Sequence, residues 1–444
     1  MIAADTAANF QSRVARVSSG AIDFIEANPG RSFALFALCH LIIWTILPTI
    51  LYPNLPLDLI EALTYGREWQ LGYDKLPPLP WWIVEILYRT FHADIAYYAF
   101  AQVAVLAAFA LVFCLALPMT AAEFNPAVLQ LPFWAPAGVA FYYALKTGRI
   151  LHWCLLGFAL GMALWAKYFV VILAAPLALF LLIDRDARKS LRTPGPYVAA
   201  LVSLLVAWPH LWWLVQNDFL PVHYVESRAT PPQGLLDHIT RPLLFALGQF
   251  GWCLPCFAIA ASLFVRKQAA AESYDVDAFS RRIVTLLTFG PMVTLLIAAA
   301  ITGGKLIGMW GYPFWLFLGL WIVLQAGKIR ERERFITLGW VWVIVTACYA
   351  IALVIFMAVT PRLTDSYRAE LYPGETIAKD LAARFKTETG EPVRYVIASM
   401  FDGGNVSHYA TEQPRTIIDR SFKRAPWSDP ADLKSHGALA IRVA

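Results

Sequence analysis

The chain has 444 residues, of which 59% are hydrophobic and only 15% are charged, and its formal net charge is +5. Soluble globular domains carry about 25% charged residues, so this composition excludes an ordinary soluble protein. The mean hydropathy of +0.56 predicts an α-helical polytopic membrane protein. The basic residues flank the apolar runs, as membrane orientation requires, and therefore imply no nucleic-acid partner.

The sequence of the N-terminal segment, 1–32, predicts an amphipathic helix from Phe10 to Ala27 on the cytoplasmic face of the membrane. It contains Arg13 and Arg16, but no apolar core followed by a small-residue cleavage site. We therefore expect no cleaved signal peptide, and we expect the first apolar run to anchor the chain.

A charged loop, 52–80, follows this first run and is the expected catalytic loop. Its sequence predicts a helix over 58–70 that lies on the membrane surface. Asp58, Glu61 and Tyr65 have the spacing i, i+3 and i+7, which places them on one face of that helix. Two carboxylates on one face can serve as general base and orienter for an acceptor hydroxyl. The alternative interpretation is a solvated helix face.

Apolar runs of membrane-spanning length recur as far as residue 360 and predict about 9 to 10 membrane helices, with further helices outside the membrane. They lie at 33–51, 97–118, 127–145, 151–166, 168–183, 196–214, 241–264, 283–301, 311–326 and 335–359. Because basic residues collect on the cytoplasmic side, the runs after residue 150 place Lys167 and the loops 215–240 and 302–310 outside.

In the front half of the chain, the positions of the basic residues do not agree with the number of apolar runs between them. Three runs separate the N-terminal arginines from Lys146, and three crossings would put Lys146 on the outer side. The run 97–118 is the one expected not to cross. Either it is re-entrant, or the chain lacks a stretch that would otherwise form two helices there.

After residue 360 the composition becomes charged and is interrupted by turns. Helices are predicted at 374–389 and 429–435, and strands at 393–399, 415–419 and 438–443. This alternation predicts a small α/β domain, 361–444, outside the membrane. The transmembrane domain then occupies 33–360.

Lysines in the external loops are the candidate phosphate ligands. The chain has no G-x-G-x-x-G motif and no P-loop, so a group-transfer donor is expected to be a lipid-linked phosphate rather than a nucleotide. Lys167 lies between two apolar runs, where a charge is costly and a functional role is the default. The same argument applies more weakly to Lys305 and Trp310. For Lys75, solvation of a loop lysine explains the sequence as well as phosphate binding does. For His210, a belt of aromatic and polar residues at the membrane interface explains it as well as ligand binding does.

Four short motifs, taken in order, resemble a known family. They are a G-Y followed by Lys and Pro-Pro-Leu (72–79), AEFNPAVLQLP (122–132), G-x-x-x-G followed by K-Y-F (157–169), and K-L followed by W-x-Y-P (305–313). Together they resemble bacterial polyprenyl-phosphate-sugar glycosyltransferases of the membrane GT-C fold. That group is related to family 39 protein mannosyltransferases and to the aminoarabinose transferase of lipid A. The motifs are most similar to those of the rhizobial lipopolysaccharide galacturonosyltransferases.

The resemblance implies a role for each matching residue. Asp58 would be the catalytic base with Glu61 beside it, and Lys75, Lys167 and Lys305 would hold the donor phosphate. The candidate substrate-binding residues are Tyr73, Glu123, Asn125, His210, Trp310 and Tyr312. The implied partners are a polyprenyl-phosphate-linked sugar, an envelope glycolipid acceptor such as lipopolysaccharide or lipid A, and membrane lipid. No cofactor is implied, and no metal-ligand cluster is visible in the sequence.

The resemblance also implies inverting direct displacement in the bacterial inner membrane, with the site and the C-terminal domain in the periplasm. Two local departures from the aminoarabinose branch are Leu76, which separates Lys75 from the proline pair, and Asn125, where that branch has aspartate. The alternatives are a transporter or lipid flippase, a non-catalytic scaffold, and a shortened, catalytically impaired relative. Removal of Asp58 separates the enzyme from the scaffold.

Overall fold

The computed structural model describes residues 2–112, 122–228, 231–264, 273–328, 331–364 and 368–441. The first half of the chain forms α1 (Ile2–Ala27), α2 (Pro29–Leu51), α3 (Leu57–Gly66), α4 (Leu79–Phe91), α5 (Ile95–Val112), α6 (Pro126–Thr147), α7 (Ile150–Ala166) and α8 (Val170–Ile183). Then follow α9 (Gly195–Gln216), α10 (Leu220–Arg228), α11 (Asp237–Ala261), α12 (Ala278–Thr302), α13 (Leu318–Ala326), α14 (Arg332–Val354) and α15 (Thr360–Leu363). Tighter 3₁₀ turns occur at Ala187–Arg192 and Gly308–Phe317, and a π-helical turn at Ile355–Val359 joins α14 to α15.

Apolar helices make up most of the chain. Eight stretches among the described residues are long and apolar enough to cross a bilayer: Pro29–Leu51, Ile95–Val112, Pro126–Thr147, Gly195–Gln216, Asp237–Ala261, Ala278–Thr302, Gly308–Ala326 and Arg332–Leu363. α7 and α8 are also apolar but shorter, with 17 and 14 residues. The architecture confirms the predicted polytopic helical membrane protein.

The predicted N-terminal helix is longer than expected. α1 begins at Ile2 rather than at Phe10, and it ends at Ala27 as predicted. Arg332 at the start of α14 pairs with Asp23 of α1 at 2.6 Å. α1 is therefore attached to the rest of the fold through α14.

α5 runs antiparallel to α2. Tyr98 near the start of α5 lies 6.0 Å from Tyr52 at the end of α2, measured between ring centres. Phe109 near the other end of α5 lies 5.0 Å from Phe36, close to the start of α2. As far as Val112, the run that was expected to turn back is thus a helix that follows α2 along its length. Residues 113–118 of that run lie outside the described residues.

α6 starts at the same end of the bundle as α5. Phe124, just before α6, lies 5.8 Å from Phe100 in the first half of α5. Both helices therefore run away from the end of the bundle at which α3 lies, which we call the α3 end. α5 and α6 thus run in the same direction, so the mismatch in basic residues noted in the sequence does not come from α5 turning back.

The helix of the charged loop is shorter than its sequence predicts. α3 ends at Gly66, whereas the sequence predicts a helix to residue 70. The backbone of Trp69 is left-handed, with φ of 47°, which ends the helical conformation there. Gly66 also lies so close to α4 that a Cβ atom would sit 2.3 Å from the carbonyl oxygen of Trp81. The loop therefore folds tightly between α3 and α4.

The C-terminal region forms a small α/β layer, as predicted. After a 3₁₀ turn at Ala369–Leu371 come α16 (Gly374–Thr389), β1 (Tyr395–Ala398), α17 (Met400–Tyr409), β2 (Arg415–Ile418), α18 (Pro430–His436) and β3 (Leu439–Ala440). The three strands form a parallel sheet in the order β2-β1-β3. Val396 of β1 lies opposite Thr416 of β2 and Leu439 of β3.

The sequence does not predict α17, which packs on α3. Its sequence contains Gly403 and Gly404, and adjacent glycines disfavour a helix. Close packing explains them. A Cβ atom on Gly404 would lie 2.6 Å from side-chain atoms of Ile60 and Thr64 on α3, and one on Gly403 would lie 2.5 Å from Thr416. The two glycines thus let the C-terminal region rest directly on α3.

Candidate active site

α3 presents two carboxylates on one face, as its spacing predicts. Asp58 lies in the first turn and is half-buried. Glu61 follows one turn later with 2% of its surface exposed, and Tyr65 after it is fully buried. A solvated helix face therefore does not describe Glu61 or Tyr65. Burial of a carboxylate on this scale requires a partner, because an unpaired charge away from water is costly.

Lys75 supplies that partner. Its Nζ donates to Oε2 of Glu61 at 2.6 Å, and the two side chains are 22% and 3% exposed. The same ammonium group lies 6.0 Å from the ring centre of Tyr224. Burial raises the pKa of Glu61 to about 7, since the opposing effect of Lys75 offsets only part of the desolvation. The loop thus holds Lys75 in a defined position rather than in free solution.

Lys167 approaches Asp58 from a different part of the fold. It caps the C-terminus of α7, in the short connection to α8, and is half-buried. Burial raises the pKa of Asp58, and the positive charges of Lys75 and Lys167 both oppose that rise. Burial lowers the pKa of Lys167 to about 8, although the Asp58 carboxylate favours the charged ammonium. Asp58 is thus a carboxylate within electrostatic reach of two ammonium groups.

Two glycines of the motif 157–169 explain how Lys167 is placed. A Cβ atom on Gly157 would lie 2.3 Å from the carbonyl oxygen of Ala199, and one on Gly161 would lie 2.7 Å from Cβ of Val206. α7 therefore packs closely against α9 along this face. The close packing fixes the end of α7, and with it Lys167, at the α3 end of the bundle.

Glu123 and Asn125 lie just before α6. The Asn125 side chain accepts hydrogen bonds from the backbone nitrogens of Ala127 and Val128, both at 3.0 Å, and so caps α6. Its amide nitrogen donates to Oε1 of Glu123 at 3.1 Å. Burial and then the Asp58 charge raise the pKa of Glu123 to about 8. Glu123 therefore belongs to the charged group around Asp58, and Asn125 orients it from behind.

Tyr73 and His210 shape the loop around the charged group. The Tyr73 hydroxyl donates to the carbonyl oxygen of Tyr65 at 2.8 Å and accepts from the backbone nitrogen of Gln70 at 3.1 Å. Nδ1 of His210 lies 2.7 Å from the carbonyl oxygen of Leu71. A carbonyl oxygen only accepts, so Nδ1 carries a proton. Both residues are buried and hold the loop in place.

The motif 305–313 is only partly near the charged group. The ring of Trp310 lies 5.2 Å from that of Phe169, two residues after Lys167. Tyr312 packs against the main hydrophobic core. Lys305 is exposed on the loop after α12, and it makes no hydrogen bond or ion pair with Asp58 or Glu61. The structure thus brings Lys75 and Lys167 within electrostatic reach of Asp58, whereas Lys305 is not among the charges that act on this carboxylate.

Asp74 and Arg424 also belong to this site, although the sequence pattern does not predict them there. Asp74 is 7% exposed. One of its carboxylate oxygens accepts from the Tyr65 hydroxyl at 2.5 Å, and the other accepts from Nε of Arg424 at 2.5 Å. Asp74 and Arg424 are 350 residues apart in sequence, so no local pattern indicates their contact. Asp74 itself immediately precedes Lys75, which was the available signal.

A polar cavity of about 180 Å³ lies between α3, α4 and the C-terminal region. Its charged and titratable lining residues are Arg67, Glu68, Glu85, Tyr88, Arg89, His408 and Arg415. The guanidinium of Arg67 donates to the carbonyl oxygen of Gln413 at 2.7 Å and to the hydroxyl of Ser407 at 2.8 Å. α3 is thereby attached to the C-terminal region on this side as well.

Within the part of the chain that the structure describes, no group of three or more His, Cys, Asp or Glu side chains is placed to hold a metal ion.

A comparison with solved structures addresses the fold. The structure matches that of ArnT from Cupriavidus metallidurans, solved with bound undecaprenyl phosphate, with a TM-score of 0.57. The match covers 92% of this chain and 89% of ArnT at 13% sequence identity. The chain has the GT-C fold of ArnT. This shared fold confirms the architecture that the motifs implied.

Two sequence comparisons point the same way. Residues 79–213 match the family described as dolichyl-phosphate-mannose-protein mannosyltransferase. The lipid A galacturonosyltransferase RgtD of Rhizobium johnstonii is 27% identical over 203 residues, which are 45% of this chain and 41% of RgtD. The chain thus matches less than half the length of this curated relative. The family match includes Glu123, Lys167 and His210, and it begins after Asp58 and Lys75.

Proposed function

We propose that this protein is a membrane glycosyltransferase that moves a sugar from a polyprenyl phosphate to an envelope glycolipid. The observation that carries the proposal is the position of Asp58 at the end of a GT-C bundle, one turn before the Glu61–Lys75 ion pair and within electrostatic reach of Lys75 and Lys167. A carboxylate and two ammonium groups are what such a transfer needs, namely a base for the acceptor and positive charge for the departing phosphate. The structure of ArnT with bound undecaprenyl phosphate supports a donor of this class.

The proposed reaction is a single displacement. The Asp58 carboxylate takes the proton of the acceptor hydroxyl, and the acceptor oxygen forms a bond to the anomeric carbon. The bond from that carbon to the phosphate oxygen breaks, and the polyprenyl phosphate leaves with the electron pair. Lys75 and Lys167 stabilise the negative charge that develops on the phosphate. One displacement at the anomeric carbon inverts its configuration.

Glu61 and Glu123 have supporting roles in this proposal. Glu61 holds Lys75 in place through the 2.6 Å ion pair. Glu123, oriented by Asn125, offers a second carboxyl group beside Asp58 that can hydrogen-bond a sugar hydroxyl. Trp310 beside Phe169 offers an aromatic face on which a sugar ring can pack.

The distribution of charge supports a periplasmic site in the bacterial inner membrane. α6 begins three residues after Glu123 and extends for 22 residues to Thr147, and Lys146 in its last turn pairs with Asp277 at 2.7 Å. A helix of that length spans about 33 Å, so Lys146 lies at the opposite end of the bundle from Asp58. Arg282 pairs with Asp184 at that end too. Basic residues concentrate on the cytoplasmic side, which orients the site outward.

The same orientation supports the proposed division of the chain. Residues 1–32 form the cytoplasmic segment, 33–360 the transmembrane domain with its catalytic loop 52–80, and 361–444 the periplasmic domain. The acceptor proposed is lipopolysaccharide or its lipid A part, because RgtD, which matches part of the chain, is named for transfer to lipid A.

A transfer assay tests the proposed function. Purified protein in lipid vesicles is expected to move labelled sugar from a polyprenyl-phosphate donor to lipid A, with release of polyprenyl phosphate in equal amount. Galacturonic acid and aminoarabinose donors are the first to compare. If the folded protein transfers neither sugar to lipid A or to core oligosaccharide, and binds no polyprenyl phosphate, the proposal is wrong.

The rate of transfer is expected to show a bell-shaped dependence on pH. Asp58 acts as a base only when ionised, and burial raises its pKa, so activity is lost as the pH falls through that raised value. Lys167 acts only when protonated, and its pKa is lowered to about 8, so activity is lost as the pH rises through that value. The variant Lys167→Arg keeps its charge at every accessible pH. It is expected to retain activity at pH 9, where the wild type declines.

Glu123→Gln is the control for this measurement, because the pKa of Glu123 is raised to about 8 and this group titrates in the same range. Rates are measured from pH 5 to pH 10 at saturating donor. An alkaline limb that shifts in Glu123→Gln and stays unchanged in Lys167→Arg would assign that limb to Glu123 and contradict the role of Lys167.

A further inference from the structure

The segment that follows β2, residues 419–428, lies against the catalytic loop. Its Arg424 side chain is 27% exposed, and its Nε atom lies 2.5 Å from Oδ2 of Asp74. A second ion pair joins Arg424 to Asp419 at the start of the same segment. The indole ring of Trp427 makes edge-on contacts with Tyr65 and Tyr73, at 5.9 and 6.1 Å between ring centres. The C-terminal region thus contacts the catalytic loop through a charged and an aromatic side chain.

Asp74 connects this segment to the charged group around Asp58. Its Oδ1 atom accepts from the Tyr65 hydroxyl at 2.5 Å, and Tyr65 lies one turn after Glu61 on α3. The next residue in the chain is Lys75, whose Nζ reaches Glu61. Asp74 is therefore fixed by α3 on one side and by Arg424 on the other. A shift of Asp74 would carry the backbone of Lys75 with it.

The charge of Asp74 makes Arg424 important for this arrangement. The Asp74 side chain is only 6% exposed, and the Tyr65 hydroxyl is a neutral donor. Without Arg424, a buried carboxylate would lose the only cation that pairs with it in the described part of the chain. Such a group is expected to move towards water, because a buried charge without a partner is unfavourable. That movement alters the loop immediately before Lys75.

We propose that Arg424 is a positioning residue that holds Lys75 beside Glu61 and Asp58 by fixing Asp74. The inference rests on the proposed function, since it gives Lys75 the donor phosphate as its ligand. It makes the C-terminal region a working part of the catalytic site, in addition to any recognition role. Arg424 itself makes no contact with the reacting atoms in this proposal.

The first test compares Arg424→Gln with Lys423→Gln, whose side chain is exposed on the same segment. Arg424→Gln is expected to raise the KM for the polyprenyl-phosphate donor and to lower kcat/KM on the order of 100-fold, because a misplacement of about 1 Å has effects of that size. Lys423→Gln is expected to behave as the wild type. Arg424→Lys, which keeps a positive charge near Asp74, is expected to recover part of the loss.

A second measurement does not depend on activity. Hydrogen exchange of the backbone amides at 67–78 is expected to accelerate in Arg424→Gln and not in Lys423→Gln. Asp74→Asn combined with Arg424→Gln is expected to transfer sugar no more slowly than Asp74→Asn alone, because Arg424 acts through Asp74.

Equal exchange and equal donor KM in Arg424→Gln and Lys423→Gln would overturn the inference. So would an additive loss of activity in the double variant. If the wild type transfers no sugar at all, the proposed function fails by itself. The exchange of the 67–78 loop then still decides whether Arg424 holds Asp74 and Lys75 in place.

Discussion

Replacing Asp58 by asparagine is expected to reduce sugar transfer by about 10²- to 10⁴-fold, the range that a general base contributes. Asparagine has the size of aspartate but cannot accept the acceptor proton. It also removes the negative charge that faces Lys75 and Lys167. The binding of polyprenyl phosphate is expected to persist, since both lysines remain and no longer have this carboxylate as a competing anion.

The measurement compares initial rates of Asp58→Asn and Asp380→Asn at matched amounts of folded protein. Asp380 is a suitable control because it lies on the C-terminal region, is exposed, and pairs with Arg384 on the same helix. A rate for Asp58→Asn within about tenfold of the wild type would show that Asp58 is not the base. Absence of transfer in the wild type and the variant alike would favour the impaired relative or the transporter.

The sequence was sufficient to predict Asp58 and Glu61 on one helix face because their connection is local, whereas Lys75 was assigned to the site only through the family resemblance. The helical spacing places both carboxylates on one face. Lys167 was predicted from a different signal, the cost of a charge between two apolar runs. The structure places it near Asp58 through the close packing of α7 against α9, and the glycines of that contact are visible in the sequence.

The contacts of the C-terminal region could not be predicted in this way. Arg424 reaches Asp74, and Arg67 reaches Gln413, across separations of 350 and 346 residues. No periodicity joins residues so far apart. α17 was missed for a related reason, since Gly403 and Gly404 disfavour a helix in isolation. The two glycines are explained by their close contact with side chains of α3 and β2, which leaves no room for a Cβ atom.

The presence of a helix was easier to predict from the sequence than the residue at which that helix ends. The membrane-length runs were recognisable because the bilayer demands about 20 apolar residues in succession. The end of α3 depends instead on the left-handed backbone at Trp69 and on the contact of Gly66 with α4. Both depend on tertiary packing, about which the hydrophobic periodicity of the sequence gives no information.

Replacing Lys75 by methionine is expected to lower both stability and transfer. Methionine keeps much of the length and the apolar stem of lysine but leaves the Glu61 carboxylate, 3% exposed, without its cation. Removing one partner of a buried ion pair typically costs about 3–5 kcal/mol, and protonation of Glu61, whose pKa is already raised to about 7, relieves part of that cost. Transfer is expected to fall on the order of 100-fold, as when one electrostatic donor is lost.

The double variant Lys75→Met with Glu61→Gln separates the two effects. It removes the unpaired carboxylate, so the thermal unfolding midpoint in detergent is expected to return close to that of the wild type. Transfer is expected to remain low, because the donor phosphate still lacks one of its two ammonium groups. If Lys75 served only to neutralise Glu61, the double variant would recover transfer together with stability. Recovery of both would therefore remove Lys75 from the donor site and leave Lys167 as the phosphate ligand beside Asp58.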